Sequence, residues 1–349
     1  MSEERTVEMV HTASTARTER TAEGPYFDEL AVGQVFGGAP AMTLTAGHAA
    51  THQAIVGDRL ALALDEELSR AVTGRAPLAH PALVWDVAIG QSTLATHHVK
   101  ANLFYRGLVL RRAPLIGDTL RTTTEVVALR QNRAREGRRP TGLAALRITT
   151  TDQHDRPVLD FWRCAMLPLR NPDTDTGHAA DLDAVGGAPG GAALTAVAEG
   201  WRLDRFAQRV AGPRPTDLAE GTVWEVGGGD VVSSAPELAR LTLNVAMAHH
   251  DQSAAGGRRL VYGGHTIGVA LAQAARALPS IVTVAGWHGC DHLGPVHEGD
   301  TLHSTVAVER VHPLDGHGGL VHLRSKVRAT HGDGPPRSVL DWRYAVMLA

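Results

Sequence analysis

The phrases PLIGDTLRTTTEV (114–126) and PVHEGDTLHSTVAVE (295–309) are two versions of one pattern in this 349-residue chain. A second phrase, VLDFWRCAML (158–167), returns later as VLDWRYAVML (339–348), where we read one residue as deleted. Both offsets are about 180 residues, far above the ~20–50-residue periods of solenoids and propellers. The sequence therefore predicts that one domain has been duplicated within the chain.

Each copy shows helical periodicity first and strand periodicity afterwards. Predicted helices cover 46–56, 81–95, 236–248 and 266–277, and Ser234-Ala-Pro-Glu237 is typical of a capping box at the third. Predicted strands cover 99–110, 119–129, 142–151 and 158–167 in the first copy, and 281–292, 301–311, 319–329 and 339–348 in the second. Helices segregated from a run of antiparallel strands predict an α+β fold, with a sheet around one main helix in each copy.

The composition limits the partners and the compartment. The formal charge is −3, so the chain lacks the basic field that attracts nucleic acid or anionic lipid. Two cysteines, Cys164 and Cys290, lie in strand-like runs, which favours a reducing cytoplasm. Residues 1–24 are charged where a signal peptide would be apolar, and no long apolar run follows. We expect a disordered tail on a soluble, cytoplasmic protein.

The domain boundaries follow from the duplication. Residues 171–200 are rich in Gly, Ala, Pro and Asp without sustained periodicity, which is typical of a linker. A short helical pattern at 203–210 follows it. We predict an N-terminal domain over 25–170, a linker with a short helix over 171–218, and a C-terminal domain over 219–349.

Two further stretches and the GDTL turns carry a family resemblance. FDELAVGQVF (27–36), the two GDTL turns and NVAMAHHDQSAAGGRRLVYGGH (244–265) resemble the MaoC-type hotdog-fold hydratases, fused here as a double hotdog. Within that group the chain is similar to mesaconyl-CoA hydratases, also called β-methylmalyl-CoA dehydratases, over about residues 25–348. The resemblance implies hydration of a double bond conjugated to a CoA thioester, or the reverse dehydration.

The first copy departs from the family's site motif. That motif resembles G-D-x-N-P-x-H-x-D, whose Asp and His form an acid/base pair, and an A-H-G turn offers a backbone N–H to the thioester oxygen. Gly57, Asp58 and Asp65 match, but Ala63 stands at the histidine. In LAHP (78–81), Pro81 has no N–H to donate. The resemblance therefore implies a degenerate site in the first copy.

The second copy keeps more of the motif. Asn244 stands at the Asp position, His249 at the histidine, Asp251 at the final Asp and Gly264 at the glycine of the turn. Histidine exchanges protons near neutrality, whereas an amide cannot act as a general base. We predict that His249 transfers protons, that Asn244 orients water or substrate, and that the Gly264 N–H stabilises the thioester oxyanion.

Other residues of the same region are candidates for substrate binding. Arg258 and Arg259 could pair with a second carboxylate of the acyl group, or form a solvated loop pair. WHGCDH (287–292) contains His, Cys and Asp, which are common metal ligands. Because the side chains of a strand alternate between opposite faces, we predict no metal site here. The candidates, each weighed against an ordinary structural role, are His250, Asp251, Arg258, Arg259, Tyr262, Gly263, His265 and His292.

The expected function is hydration or dehydration of an α,β-unsaturated acyl-CoA, branched or dicarboxylic, of the mesaconyl-CoA to β-methylmalyl-CoA type. No cofactor is expected beyond the CoA thioester substrate. Two alternatives stay open: a dehydratase acting on a carrier-protein-bound intermediate, and a catalytically silent acyl-CoA-binding subunit. A homodimer is compatible with the sequence but not required, because two fused hotdogs already form a pair.

Overall fold

The computed structural model describes residues 22–314 and 318–349, and their strands form one large antiparallel sheet. The predicted tail over 1–24 lies outside the described residues except for its last three. The strands are β1 Val35–Phe36, β2 Met42–Thr43, β3 Ala101–Leu110, β4 Thr119–Gln131, β5 Thr141–Thr151, β6 Pro157–Pro168, β7 Val223–Glu225, β8 Asp230–Val231, β9 Ile281–His292, β10 Thr301–Pro313, β11 Gly319–Thr330 and β12 Arg337–Leu348. The sheet order is β1-β4-β5-β6-β3-β9-β12-β11-β10-β7.

The sheet order shows the duplication directly. The run β4-β5-β6-β3 is mirrored by β9-β12-β11-β10, and β3 pairs with β9 at the seam. Alternating residues of β10 are buried, because successive side chains of a strand point to opposite faces. The fold is therefore α+β, a double hotdog whose two halves share one sheet, and all eight predicted long strands are confirmed to within three residues at either end.

The helices are α1 Ala46–Val56, α2 Ala61–Leu64, α3 Glu66–Thr73, α4 Pro81–Gln91, α5 Gly191–Thr195, α6 Leu203–Arg209, α7 Ala235–Leu241 and α8 Gly263–Ala277. Short 3-10 helices cover Phe27–Glu29, Ser92–Thr96, Ala196–Ala198, Pro215–Asp217 and Met247–His249. The main helices α4 and α8 pack against each other. Every residue of α4 is buried, so this helix has no face exposed to solvent. None of the helices within 22–314 and 318–349 has the length and apolarity needed to cross a membrane.

Helix α7 differs from its prediction at both ends. It ends at Leu241 rather than 248, and Leu243 lies in the left-handed region with φ 60°. Ser234 also has a left-handed backbone and makes no side-chain capping hydrogen bond, so the predicted capping box is wrong. The periodic apolar residues after 241 instead form an irregular loop and a 3-10 turn around Asn244 and His249.

The repeated phrase of β6 and β12 aligns without the deletion inferred from the sequence. Arg147 pairs in register with Trp162 and forms an ion pair with Asp160. Arg324 pairs in register with Arg343 and likewise binds Asp341. The two strands are therefore equivalent at a constant offset, which places Arg163 and Tyr344 at the same position.

The segment 171–218 is packed along its length rather than free. Ala180 donates to the Leu129 carbonyl at the edge of β4, and Leu182 is buried in a small cluster on the outer face of the first half. Further on, Leu194 and Phe206 are buried in the main core. The segment lies between β6 and β7, and it covers apolar surface of both halves.

Gly90 sits where α4 crosses the loop before Asn244. A Cβ atom there would lie 1.8 Å from the Thr242 carbonyl oxygen, which is backbone and cannot turn aside. We expect Gly90→Ala to destabilise the protein by about 1–3 kcal/mol, measured by urea unfolding. Gly191→Ala is the matched control, since a Cβ in that helix meets nothing within 4 Å. Equal stability of the two variants would contradict this account.

Candidate active site

A cavity of about 410 Å³ is lined by residues from both halves of the molecule. The first half contributes residues of α4, of β3 and of β6, and the second half contributes the Asn244–His249 loop, the start of α8 and the end of β9. Most of the lining is apolar. The polar side chains among it are Thr93, Lys100, Asn102, Tyr105, Arg163, Asn244, His249, Tyr262, Thr266 and His292.

His249 is held in one tautomer at this cavity. Its Nδ1 lies 2.9 Å from the Leu260 carbonyl oxygen, which can only accept, so Nδ1 carries the proton. Nε2 is then the nitrogen with a free lone pair. Burial lowers the pKa of His249 to about 4. The hydrogen bond to Leu260 raises this pKa, whereas the nearby His250 and Arg163 lower it further. The imidazole is therefore neutral at pH 7, the form that accepts a proton.

Asn244 is buried beside His249, at 2 % exposure. Its Oδ1 accepts from the Ala246 N–H at 3.0 Å, which fixes the orientation of the amide. Its Nδ2 is buried and has no hydrogen-bond partner among the described residues. An amide N–H pair in that condition is a donor available to a molecule in the cavity.

The equivalence of this loop to the first copy is supported by matching backbone hydrogen bonds. His249 N–H donates to Ala246 as Ala63 donates to Leu60, and Asp251 donates to Met247 as Asp65 donates to Ala61. At the same offset, Leu243 with φ 60° corresponds to Gly57 with φ 74°. A leucine in this conformation is unfavourable by about 1–2 kcal/mol, so the turn before Asn244 is held under strain by its surroundings.

The glycine turn aligns one residue away from its predicted register. Val261 N–H donates to Val296 as Ala79 donates to Pro114, so LAHP (78–81) corresponds to residues 260–263. Pro81 and Gly263 each begin a main helix, and Gly263 is the glycine that lines the cavity. Gly264 packs instead on the first half, where a Cβ would lie 2.0 Å from Asp86 Oδ1. Neither glycine N–H has an acceptor among the described residues.

Tyr262 and His292 also line the cavity, as predicted for substrate-binding candidates. The Tyr262 hydroxyl donates to Asp86 Oδ1 at 3.2 Å, and its ring lies edge-on to His249 at 5.7 Å. His292 Nε2 is buried without a partner, and the ring packs on Gly263. Burial, together with the nearby His249, lowers the pKa of His292 to about 4.

Five other candidates do not line this cavity, and their binding roles stay predictions. His250 donates to the Asn244 carbonyl at 2.6 Å, and Asp251 closes a turn by accepting from Ser253. Arg259 pairs with Glu298 at 2.6 Å. His265 is buried inside α8 with neither ring nitrogen bonded. Arg258 lies in an adjoining recess of about 450 Å³ that shares Lys100 and Leu260 with the cavity.

Sequence reasoning missed a buried polar cluster in the first half. His52 Nδ1 lies 2.7 Å from Asp58, and His52 Nε2 lies 3.1 Å from Asp86. His80 is 3.3 Å from the other Asp58 oxygen. Burial lowers the pKa of His52, but the two carboxylates outweigh it and raise that pKa to about 10. Asp58, the residue equivalent to Asn244, is thus bound in an internal ion pair with His52.

The same cluster has the spacing of a metal site, and its Asp58 Oδ1 and His80 Nε2 have no hydrogen-bond partner among the described residues. The ligand atoms of His52, Asp58 and His80 lie within 4.8 Å of one another. Both nitrogens of His52, however, face carboxylates and hold protons, so this ring has no lone pair for a metal. No metal-dependent step is inferred from it. A spacing argument could not have found the cluster, because His52 and Asp86 are 34 residues apart.

Comparisons with known proteins point to one group. No protein-family model matches the sequence. The chain is 26% identical to the β-methylmalyl-CoA dehydratase of Chloroflexus aurantiacus, covering 94% of this chain and 98% of the relative. It is 27% identical to the mesaconyl-CoA hydratase of Cereibacter sphaeroides, covering 90% and 92%.

Solved structures agree on the architecture. A conserved hypothetical protein from Mycobacterium tuberculosis with a double hotdog fold is 55% identical, with a TM-score of 0.87 over 93% of this chain and 99% of that one. A MaoC-domain dehydratase protein from Chloroflexus aurantiacus has a TM-score of 0.82 at 24% identity, covering 95% and 99%. The second likeness concerns the fold alone.

Proposed function

Because the chain belongs to the MaoC-like double-hotdog family of hydratases and dehydratases, we propose that it hydrates an α,β-unsaturated acyl-CoA and catalyses the reverse dehydration. The observation that carries the proposal is His249, a neutral imidazole with its Nε2 lone pair free at a cavity that also presents the Asn244 amide. We further propose a substrate of the mesaconyl-CoA to β-methylmalyl-CoA type, because the two relatives are named for the two sides of that reaction.

In the hydration direction, His249 Nε2 takes a proton from a water molecule as the water oxygen bonds to Cβ. The electron pair of the double bond moves toward the thioester, and negative charge collects on its oxygen. The imidazolium then returns the proton to Cα, so that the ring ends as it began. One histidine serves both transfers, and general acid–base catalysis of this kind contributes about 10²–10⁴-fold.

Asn244 cannot take a proton, but its free Nδ2 can hold the attacking water. The thioester oxygen is assigned to the N–H groups at the start of α8, where the helix dipole favours negative charge. Gly263 is the better placed of the two glycines because it lines the cavity, and Gly264 supplies the adjoining N–H. We assign the CoA chain beyond the thioester to the adjoining recess beside Lys100 and Arg258.

The test is a direct assay of the purified protein with mesaconyl-CoA and with crotonyl-CoA, following loss of the conjugated thioester absorbance. We expect turnover of at least one of them without added metal or cofactor. Thermal stabilisation by CoA esters in the absence of any turnover would contradict the proposal and support a silent acyl-CoA-binding protein. Turnover of carrier-bound substrates alone would assign the chemistry to a carrier-protein pathway.

A further inference from the structure

Arg163 lines the same cavity but belongs to the first half of the molecule. It lies on β6 and is 3% exposed. Its Nη2 donates to the Ser92 carbonyl and to Thr96 Oγ1, at 3.2 and 2.7 Å, and these bonds fix the guanidinium. Its Nε is buried without a partner. The arginine thus presents a fixed positive charge at the cavity.

No carboxylate pairs with this guanidinium in the described part of the chain. The buried carboxylate of Asp86 is bound by His52 and by Tyr262. Burial lowers the pKa of Arg163, and the nearby phenols of Tyr105 and Tyr262 act in the opposite direction. An unpaired buried cation costs several kcal/mol, and arginine keeps its charge even when buried. A charge kept at that cost calls for an anionic partner that enters the cavity.

The duplication supplies an internal comparison. The position equivalent to Arg163 is Tyr344, which is fully buried and whose hydroxyl lies 3.0 Å from Ser325 Oγ. The fold therefore accepts a neutral, internally satisfied side chain at this point of the strand. Of these two equivalent positions, only the one in the first half carries a charge, and it faces the cavity that contains His249. Arg163 lies close enough to lower the pKa of that histidine.

We propose that Arg163 binds a free carboxylate at the far end of the acyl group, and so selects monothioesters of dicarboxylic acids over simple enoyl thioesters. The inference rests on the proposed function for the reaction, but it concerns recognition rather than proton transfer. It replaces the Arg258–Arg259 pair considered from the sequence, because Arg259 is bound to Glu298 and Arg258 lies outside the cavity.

Fumaryl-CoA and crotonyl-CoA form a matched substrate pair, since one carries a carboxylate where the other carries a methyl group. We expect the wild-type protein to prefer fumaryl-CoA in kcat/KM. Arg163→Gln should lower kcat/KM for fumaryl-CoA by about 10²–10³-fold, the range for truncating one partner of a buried charge pair. The ratio of kcat/KM for fumaryl-CoA to that for crotonyl-CoA should fall with it, and urea unfolding reports whether the variant is folded. A wild-type preference for crotonyl-CoA, or an equal loss on both substrates, would overturn the inference.

Binding of saturated analogues separates this inference from the proposed reaction. Succinyl-CoA and butyryl-CoA differ in the same way but have no double bond to hydrate. We expect calorimetry to show tighter binding of succinyl-CoA to the wild type, with the difference lost in Arg163→Gln and partly kept in Arg163→Lys. That result without turnover of any enoyl-CoA would refute the hydratase proposal and leave Arg163 as the anion site. Equal binding of both analogues by the wild type would refute the anion site even in an active hydratase.

Arg163→Tyr introduces the residue found at the equivalent position of the second half. If Arg163 were only structural, this variant and Arg163→Gln would lose activity on both substrates together. We expect Arg163→Tyr instead to lose more activity on fumaryl-CoA than on crotonyl-CoA, and so to lose the preference for the carboxylate. Retention of that preference in either neutral variant would contradict the inference.

Discussion

His249→Asn is expected to lower kcat for hydration by about 10²–10⁴-fold. Asparagine can place its Nδ2 near the position of the histidine Nδ1, and so keep the bond to the Leu260 carbonyl that holds the loop. It has no atom at the position of Nε2 and no basic nitrogen. The variant therefore removes the proton acceptor and retains the loop anchor. Single-turnover kinetics with the best substrate of the wild type would measure the loss.

Two controls accompany this variant. Ala63→His, made in the His249→Asn background, puts an imidazole at the equivalent loop position of the first half, where Pro81 leaves no N–H for an oxyanion. We expect no recovery of activity. Since the His249 pKa is about 4, wild-type kcat/KM should be flat through neutrality and fall as the pH drops toward 4. A folded His249→Asn protein with wild-type turnover would remove His249 from the mechanism.

The duplicated phrases and their periodicity were sufficient to predict the duplication and the α+β class, and the family resemblance added the double hotdog. They placed eight long strands and α1 closely because each strand has its own alternation, and local patterns determine those elements. Helix α7 was overestimated because the residues after Leu241 keep an apolar pattern while Leu243 turns the chain out of the helix. A left-handed leucine leaves no mark in sequence, since glycine is the usual signal for that conformation.

The site was predictable only in part, because its residues come from distant parts of the chain. The motif placed Asn244 and His249 correctly at one cavity, since they share one short loop. The predicted alignment of the glycine turn is displaced by one residue, so the sequence assigns Gly264 to the position that Gly263 occupies in the structure. Arg163 was not among the predicted site residues, and the inferred deletion would align it with the exposed Arg343 instead of the buried Tyr344. Its importance depends on which face of β6 it occupies, and only the sheet register fixes that.

A second large effect is expected on the stability of the folded protein when the ion pair of the His52 cluster is removed. Asp58→Asn should destabilise the protein by about 3–5 kcal/mol at pH 7, the usual cost of removing one member of a buried ion pair. Asp58 is 4% exposed and lies 2.7 Å from His52. The exposed Asp155→Asn is the control and should change stability by less than about 0.5 kcal/mol. Urea unfolding at equal protein concentration measures both.

The pH dependence of stability tests whether this effect arises from the charge on His52. The pKa of His52 is about 10 in the folded protein and near 6.5 in the unfolded chain, so unfolding between those values releases a proton. Its contribution is complete below pH 6.5 and is lost as the pH rises through 10, with a slope of about 1.4 kcal/mol per pH unit. Asp58→Asn lowers the folded pKa and should flatten this slope, whereas Asp155→Asn should leave it unchanged. Parallel slopes for wild type and Asp58→Asn between pH 7 and 9 would mean that the cluster is held by packing rather than by the buried imidazolium.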